Sequence, residues 1–211
     1  MENTLKTGTT TIGIVCKDGI ILAADKRATA GYLVVNKKEQ KIHEVSNNMA
    51  LTTAGTVSDI QLMVKLVRAE IKLKSIRVDR EPTVKETANL LAGLVYQNIR
   101  KFSTIPGISH FLFAGVDKTG FTLYDIFPDG SLSKHDDYTC SGSGSVYAYG
   151  VLETLHSKDI TIDQGIKLAL KAINAAMQRD IASGNGIDIL TITSTGVKRV
   201  MERELDTRLK E

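Results

Sequence analysis

The apolar runs of this chain follow an order that few architectures accept. Strand-length runs occupy Thr9 to Val15, Ile20 to Asp25, Tyr32 to Val35, Lys41 to Val45 and Met49 to Ala54. Two helix-length stretches follow, about Ser58 to Ile76 and from Pro82-Thr83 to about Phe102. Strands resume at His110 to Val116 and Phe121 to Phe127, and two more helices span about Val146 to Leu155 and Ile162 to Ile181. Ile187 to Thr193 and Val197 to Met201 close the pattern, with a helical tail expected after them. Lys17-Asp18-Gly19, Lys118-Thr119-Gly120 and Thr195-Gly196 read as tight turns between paired strands, and Tyr32 to Val35 is expected to pair with Lys41 to Val45. The helices carry apolar stripes, Ile60, Val64, Val67 and Ile71 in the first and Ala88, Leu91, Leu94, Val95 and Ile99 in the second. Thr56 or Ser58 is a candidate cap for the first. A parallel sheet needs a crossover between successive strands. Strands in hairpins alternating with helices in pairs predict instead an α+β fold, two stacked antiparallel sheets with a helix pair on each outer face.

Composition narrows the function classes. The chain has 211 residues, 42% of them hydrophobic, enough for one core; with no internal repeat, residues 9–211 read as one domain. Net charge is +3 and the basic residues are dispersed, with no basic face interleaved with aromatics, which argues against nucleic acid as a partner. The two cysteines, Cys16 and Cys140, stand far apart, so a disulfide framework is not expected and a reducing compartment is. The four histidines show no ligand-type spacing, and no metal is expected. No apolar run approaches the ~18 residues of a membrane span, and the first residues lack a signal-peptide core. A cytoplasmic protein with no membrane partner is the expectation.

Gly8-Thr9-Thr10-Thr11 opens the first strand abruptly after a polar leader, MENTLKT. If the chain is cut after Gly8, Thr9 gains a free α-amine beside its hydroxyl, a nucleophile and a base in one residue. Other polar residues sit at element ends: Asp25 before Lys26-Arg27, Lys41 at a strand start, Gly55 at a strand end, a Ser141-Gly142-Ser143-Gly144-Ser145 run before a helix, and Asp180 and Ser183 after one. Each has a plainer reading. Asp25 could pair with Lys26 or Arg27, Lys41 could be solvated, and the Ser-Gly run could cradle a phosphate at a helix N-terminus, although it lacks the Lys-Ser/Thr of a P-loop.

Taken together, Thr9-Thr10-Thr11-Ile12-Gly13, Asp25-Lys26-Arg27, Lys41, Thr53-Ala54-Gly55, Gly142-Ser143-Gly144 and Arg179-Asp180 with Ser183-Gly184 resemble a catalytic β-subunit of the 20S proteasome, of the archaeal type. The likeness runs in order along essentially the whole chain after Gly8. It implies the N-terminal nucleophile hydrolase fold, a four-layer αββα sandwich, and a threonine endopeptidase acting on unfolded polypeptide. Residues 1–8 would be a propeptide removed by self-cleavage between Gly8 and Thr9.

By the same resemblance, Thr9 is the nucleophile, and Lys41 favours its deprotonation. Asp25 holds Lys41 charged and oriented, and Lys41 is expected within hydrogen-bond reach of both Asp25 and Thr9 Oγ1. Gly55 offers its N–H to the oxyanion. Ser143, Asp180 and Ser183 form the network around the threonine amine, and Arg27 supports Asp25. Gly8 is expected to adopt a tight, positive-φ turn. Thr29 and Val57 pair with an extended peptide, and Ala28, Glu39, His43, Thr53 and Val57 line the pocket for the residue before the cut. No cofactor is implied. The implied partners are heptameric β-rings of this chain, α-subunit rings and an ATP-dependent unfoldase. A non-catalytic ring subunit, and an N-terminal nucleophile amidohydrolase of another kind, are the alternatives.

Overall fold

The computed structural model describes residues 8–205. The leader residues 1–7, and the end of the tail at 206–211, lie outside the described residues.

The first sheet is built from β1 (Thr11–Cys16), β2 (Gly19–Asp25), β10 (Tyr138–Ser141), β11 (Gly186–Thr193) and β12 (Gly196–Glu204), in the order β10-β1-β2-β11-β12. The second contains β5 (Ile42–Ser46), β6 (Met49–Gly55), β7 (Ser109–Asp117), β8 (Gly120–Ile126) and β9 (Leu132–His135), in sequence order. All pairs are antiparallel. Three of the tight turns have the same form. Cys16 pairs with Gly19, Asp117 with Gly120 and Thr193 with Gly196, leaving two residues in each loop.

Three cores separate four layers. Ile20, Leu22, Ile42, Leu112 and Leu190 fill the space between the sheets. Helices α1 (Val57–Val78) and α2 (Val84–Arg100) cover the second sheet through Val64, Val67, Leu91 and Val95 against Leu51, Phe111 and Phe113. Helices α3 (Ser145–Leu155) and α4 (Ile162–Arg179) cover the first through Leu152, Leu168 and Ile173 against Ile12, Ile14 and Ile189. This is the expected αββα sandwich. Alternation along each strand explains it: with period two, Leu112 faces the other sheet while Phe111 and Phe113 face the helices.

Several local expectations are corrected. Leu33–Asn36, here β4, pairs with β3 (Ala28–Ala30) in a separate two-stranded hairpin, and β5 pairs with β6, so the expected pairing of Tyr32 to Val35 with Lys41 to Val45 does not form. The short edge strands β9 and β10 were not expected at all. Thr56 stands at the cap position of α1 without a capping bond, whereas α2 and α4 begin with full capping boxes, Thr83 with Glu86 and Thr161 with Gln164. β12 continues to Glu204, so the segment after Met201 begins as strand rather than helix.

Candidate active site

The sheet topology gathers the polar residues. β1 begins beside the end of β2, where Thr11 faces Ala24, and beside the end of β10, where Thr11 faces Ser141. Thr9 and Thr10 therefore lie between Asp25 at the end of β2 and Gly142-Ser143 after β10. β11 pairs on the other side of β2, with Ile187 opposite Asp25, and this brings the 180–185 turn to the same place.

Asp25 is fully buried and accepts four hydrogen bonds. Its Oδ1 takes the Thr10 N–H at 2.9 Å and the Lys41 ammonium at 2.7 Å; its Oδ2 takes the Arg27 N–H at 3.0 Å and the Gly184 N–H at 2.9 Å. Three backbone donors and one cation satisfy a buried carboxylate. Lys41 is buried as well and sits one residue before β5. Burial pushes its pKa below the ordinary lysine value, while Asp25, and then Glu39 and Asp180, push it back up. A lysine held this way exchanges its proton nearer neutral pH than a solvated one.

The plainer readings of these two residues do not hold. Lys26 pairs with Glu202, not Asp25. The Arg27 guanidinium donates to Asn185 Oδ1 and to the Ile181 carbonyl, each at 2.7 Å, so Arg27 supports Asp25 through its backbone and the 181–185 turn through its side chain.

Thr9 is almost wholly buried. Its Oγ1 donates to the Gly8 carbonyl at 2.7 Å, and its N–H donates to Ser143 Oγ at 3.2 Å. Ser143 Oγ and Ser183 Oγ both donate to Asp180 Oδ2, at 2.7 Å and 2.6 Å. Lys41 reaches Asp25 as expected but is not bonded to the Thr9 hydroxyl. With the Gly8–Thr9 bond intact, the adjacent carbonyl takes that proton. Ser183 bonds to Thr10 rather than to Thr9, its Oγ lying 2.7 Å from Thr10 Oγ1. Asp180 is the C-cap residue of α4 and accepts the two serines as well.

Gly8 is confined by contact. A Cβ at Gly8 would lie 1.7 Å from Ala182 Cβ and 3.0 Å from Ser143 Oγ, and its N–H donates to Thr29 Oγ1 at 3.1 Å. The expected positive φ at Gly8 depends on residue 7, outside the described residues. Gly55 has φ +124° and lies against the Ile108 carbonyl, which a Cβ would approach to 2.2 Å.

Among the residues expected to line a pocket, Ala28 and Thr53 are buried, Glu39 and His43 half-buried and Val57 exposed. Thr53 Oγ1 donates to the Lys41 carbonyl at 3.3 Å, and Glu39 accepts from Asn36 Nδ2 at 2.6 Å. Burial, followed by the charges of Arg68 and Arg199, pushes the His43 pKa down to about 4. Val57 opens α1, so it presents a first-turn N–H rather than a sheet edge. Thr29, expected to engage peptide through its backbone, engages Gly8 through its hydroxyl.

Cys16 and Cys140 are free, buried thiols with burial-raised pKa values, Cys16 to about 12, and neither joins this cluster. A cleft of about 620 Å³, lined by Cys16, Lys17, Lys134, His135 and His156 among others, opens at the opposite end of β1 and shares no residue with the Thr9 cluster. Among the described residues no helix is long and apolar enough to cross a membrane.

Residues 5–192 match the family model described as proteasome subunit. Relatives named proteasome subunit beta include one from Ferroglobus placidus, 43% identical over 204 residues, covering 97% of this chain and 95% of the relative. One from Archaeoglobus profundus is 44% identical over 199 residues, 94% and 91% of the two chains. One from Archaeoglobus fulgidus is 40% identical over 193 residues, 92% and 89%. With a matched family over most of its length, archaeal β-subunit relatives at this identity and the expected four-layer sandwich, this chain belongs to the proteasome subunit family as a β subunit.

Proposed function

We propose that the chain is a threonine endopeptidase, here in its uncut precursor form, with residues 1–8 as propeptide. The observation that carries this reading is the Thr9 hydroxyl lying 2.7 Å from the carbonyl oxygen of the bond to be cut, between the buried Asp25–Lys41 pair on one side and the more exposed Ser143–Asp180 pair on the other. Thr9 Oγ1 attacks the Gly8 carbonyl carbon. The five-membered ring opens by breaking the C–N bond, which leaves the leader as an ester on Oγ1 and frees the Thr9 amine. Water then hydrolyses the ester. During this step the Thr9 nitrogen is an amide and not basic, so Lys41, its pKa lowered by burial, takes the Oγ1 proton and returns it to that nitrogen as the C–N bond breaks.

After the cut the same groups act on substrate. The Thr9 amine, hydrogen-bonded to Ser143, takes the Oγ1 proton and returns it to the leaving amine. Lys41, oriented by Asp25, stabilises the developing alkoxide. The Gly55 N–H donates to the tetrahedral oxyanion, an interaction worth about 3–4 kcal/mol in comparable sites. The acyl ester on Thr9 is hydrolysed, and the cycle closes.

Assembly into heptameric β-rings, stacked with α-subunit rings and fed by an ATP-dependent unfoldase, is part of this proposal. Its support in the chain is apolar surface that the fold leaves open: Tyr32, Leu33 and Val35 on the β3–β4 hairpin, and Leu62, Leu66, Leu73 and Ile76 along α1.

The assay is peptide hydrolysis by particles assembled with an α subunit, with and without a threonine-directed covalent inhibitor. Activity should appear on assembly and disappear with the inhibitor. Peptides carrying Leu or Tyr before the cut should turn over fastest. His43 is uncharged at neutral pH and the Thr53 hydroxyl is bonded to a backbone carbonyl, which leaves the Glu39 carboxylate, held by Asn36, as the one charge among these residues, and it repels an acidic side chain. Arg at that position should be slower and Glu slowest. A clear preference for Glu contradicts the pocket, and inhibitor-insensitive hydrolysis contradicts the mechanism.

A further inference from the structure

Thr10 touches both halves of the network, yet it is neither the nucleophile nor one of its expected helpers. It is fully buried. Its N–H donates to Asp25 Oδ1 at 2.9 Å, and its carbonyl accepts the Asp25 N–H at 3.2 Å. Its hydroxyl meets Ser183 Oγ at 2.7 Å. Chemistry fixes the direction of that last bond. Ser183 gives its one proton to Asp180 Oδ2, and a carboxylate has none to return. Ser183 therefore offers Thr10 only lone pairs, and Thr10 is the donor.

The same logic applies to Ser143, which gives its proton to Asp180 Oδ2 and accepts from the Thr9 N–H. Two chains of donors, Thr10 to Ser183 and Thr9 to Ser143, converge on one carboxylate oxygen. Glycine at 144 makes room for this meeting. A Cβ there would lie 2.0 Å from Thr10 Oγ1 and 3.1 Å from Asp180 Oδ2.

We propose that Thr10 is a positioning residue for the Thr9 amine: through its hydroxyl and Ser183 it holds Asp180 where Ser143 can receive the amine proton, while its backbone holds Asp25 against Lys41. This rests on the threonine-hydrolase reading above. The backbone contacts survive substitution, so the hydroxyl is the part that can be tested. Thr10→Val keeps the shape and removes the donor; Thr10→Ser keeps the donor.

In assembled particles, Thr10→Val is expected to lower kcat roughly tenfold, the scale of one buried hydrogen bond to a reacting network, with KM changed less than about twofold. Thr10→Ser should recover kcat to within about twofold of the parent. Combined with Ser183→Ala, Thr10→Val should cost less than about twofold further, because the chain it feeds is already broken. If Thr10→Val does not assemble, Thr10→Ala measured against Thr10→Ser makes the same comparison. The proposal is overturned if the hydroxyl-free variant matches the parent, if it and Thr10→Ser are equally impaired, or if the tenfold loss persists on Ser183→Ala. A parent particle with no threonine-dependent activity overturns the hydrolase reading and this proposal with it; an active parent with an unaffected Thr10→Val overturns this one alone.

Discussion

Lys41→Ala is expected to abolish peptide hydrolysis and to destabilise the chain by about 3 kcal/mol, the lower part of the range for breaking a buried ion pair. The two effects have different origins. Activity is lost because, in the proposed mechanism, Lys41 takes the Thr9 hydroxyl proton during self-cleavage, so without it the amine does not form. Stability is lost because Asp25, fully buried, loses the cation 2.7 Å from its Oδ1. The loss stays near the lower bound because the N–H groups of Thr10, Arg27 and Gly184 still solvate the carboxylate. Urea unfolding of the isolated chain should show a midpoint lowered by roughly 1–2 M. An unchanged midpoint would mean that the pair is not buried as described, and retained turnover would remove Lys41 from the mechanism.

Gly8→Ala should slow self-cleavage at least tenfold without touching a reacting group. Its new Cβ would fall 1.7 Å from Ala182 Cβ, a distance no pair of carbons sustains, so either the 180–184 turn or the scissile carbonyl must move. Movement of the carbonyl takes it away from Thr9 Oγ1, and small misplacements of a reacting group are costly in rate. Movement of the turn disturbs Asp180, Ser183 and the Gly184 N–H that holds Asp25. Adding Ala182→Gly removes the closest clash and should restore part of the rate; Ala182 Cα and Ser143 Oγ, both 3.0 Å from the new Cβ, keep the recovery incomplete. Intact mass of the β chain over time after mixing with the α subunit reads both. Processing of Gly8→Ala at the parent rate would show that the contact does not govern the step.

The layer order was legible because it depends on long, strongly patterned segments. β1, β2, β6, β7, β8 and β11 and all four helices fall within a few residues of their expected places. The short edge strands were not legible, for a physical reason. β9, Leu132–His135, and β10, Tyr138–Ser141, have only four residues each, too few for a period to show, and edge strands tolerate the polar residues that make them look like loop. The missing β10 mattered, because it carries Gly142 and Ser143 to Thr9.

The candidate site was legible through the short motifs read together, not through any residue alone. Asp25 beside Lys26-Arg27 looks like a local ion pair on its own; the resemblance points to Lys41 instead, the fold places Lys41 2.7 Å from it, and only the fold shows Glu202 as the partner of Lys26. Thr10 could not be distinguished from a strand threonine until Ser183, distant in sequence, was placed next to its hydroxyl. Gly8 was expected to matter for its φ; the structure gives a different reason, the methyl of Ala182.

In the proposed mechanism Thr9 becomes the first residue of the active chain and its Oγ1 is the nucleophile. The most direct measurement is the intact mass of the β chain in an active particle, before and after reaction with a threonine-directed covalent inhibitor, with fragmentation to locate the adduct. The expected result is loss of residues 1–8, one inhibitor per active chain on Thr9, and a Thr9→Ala chain that keeps its leader and takes no inhibitor. A fully active particle whose β chains all retain Met1 to Gly8 would contradict it.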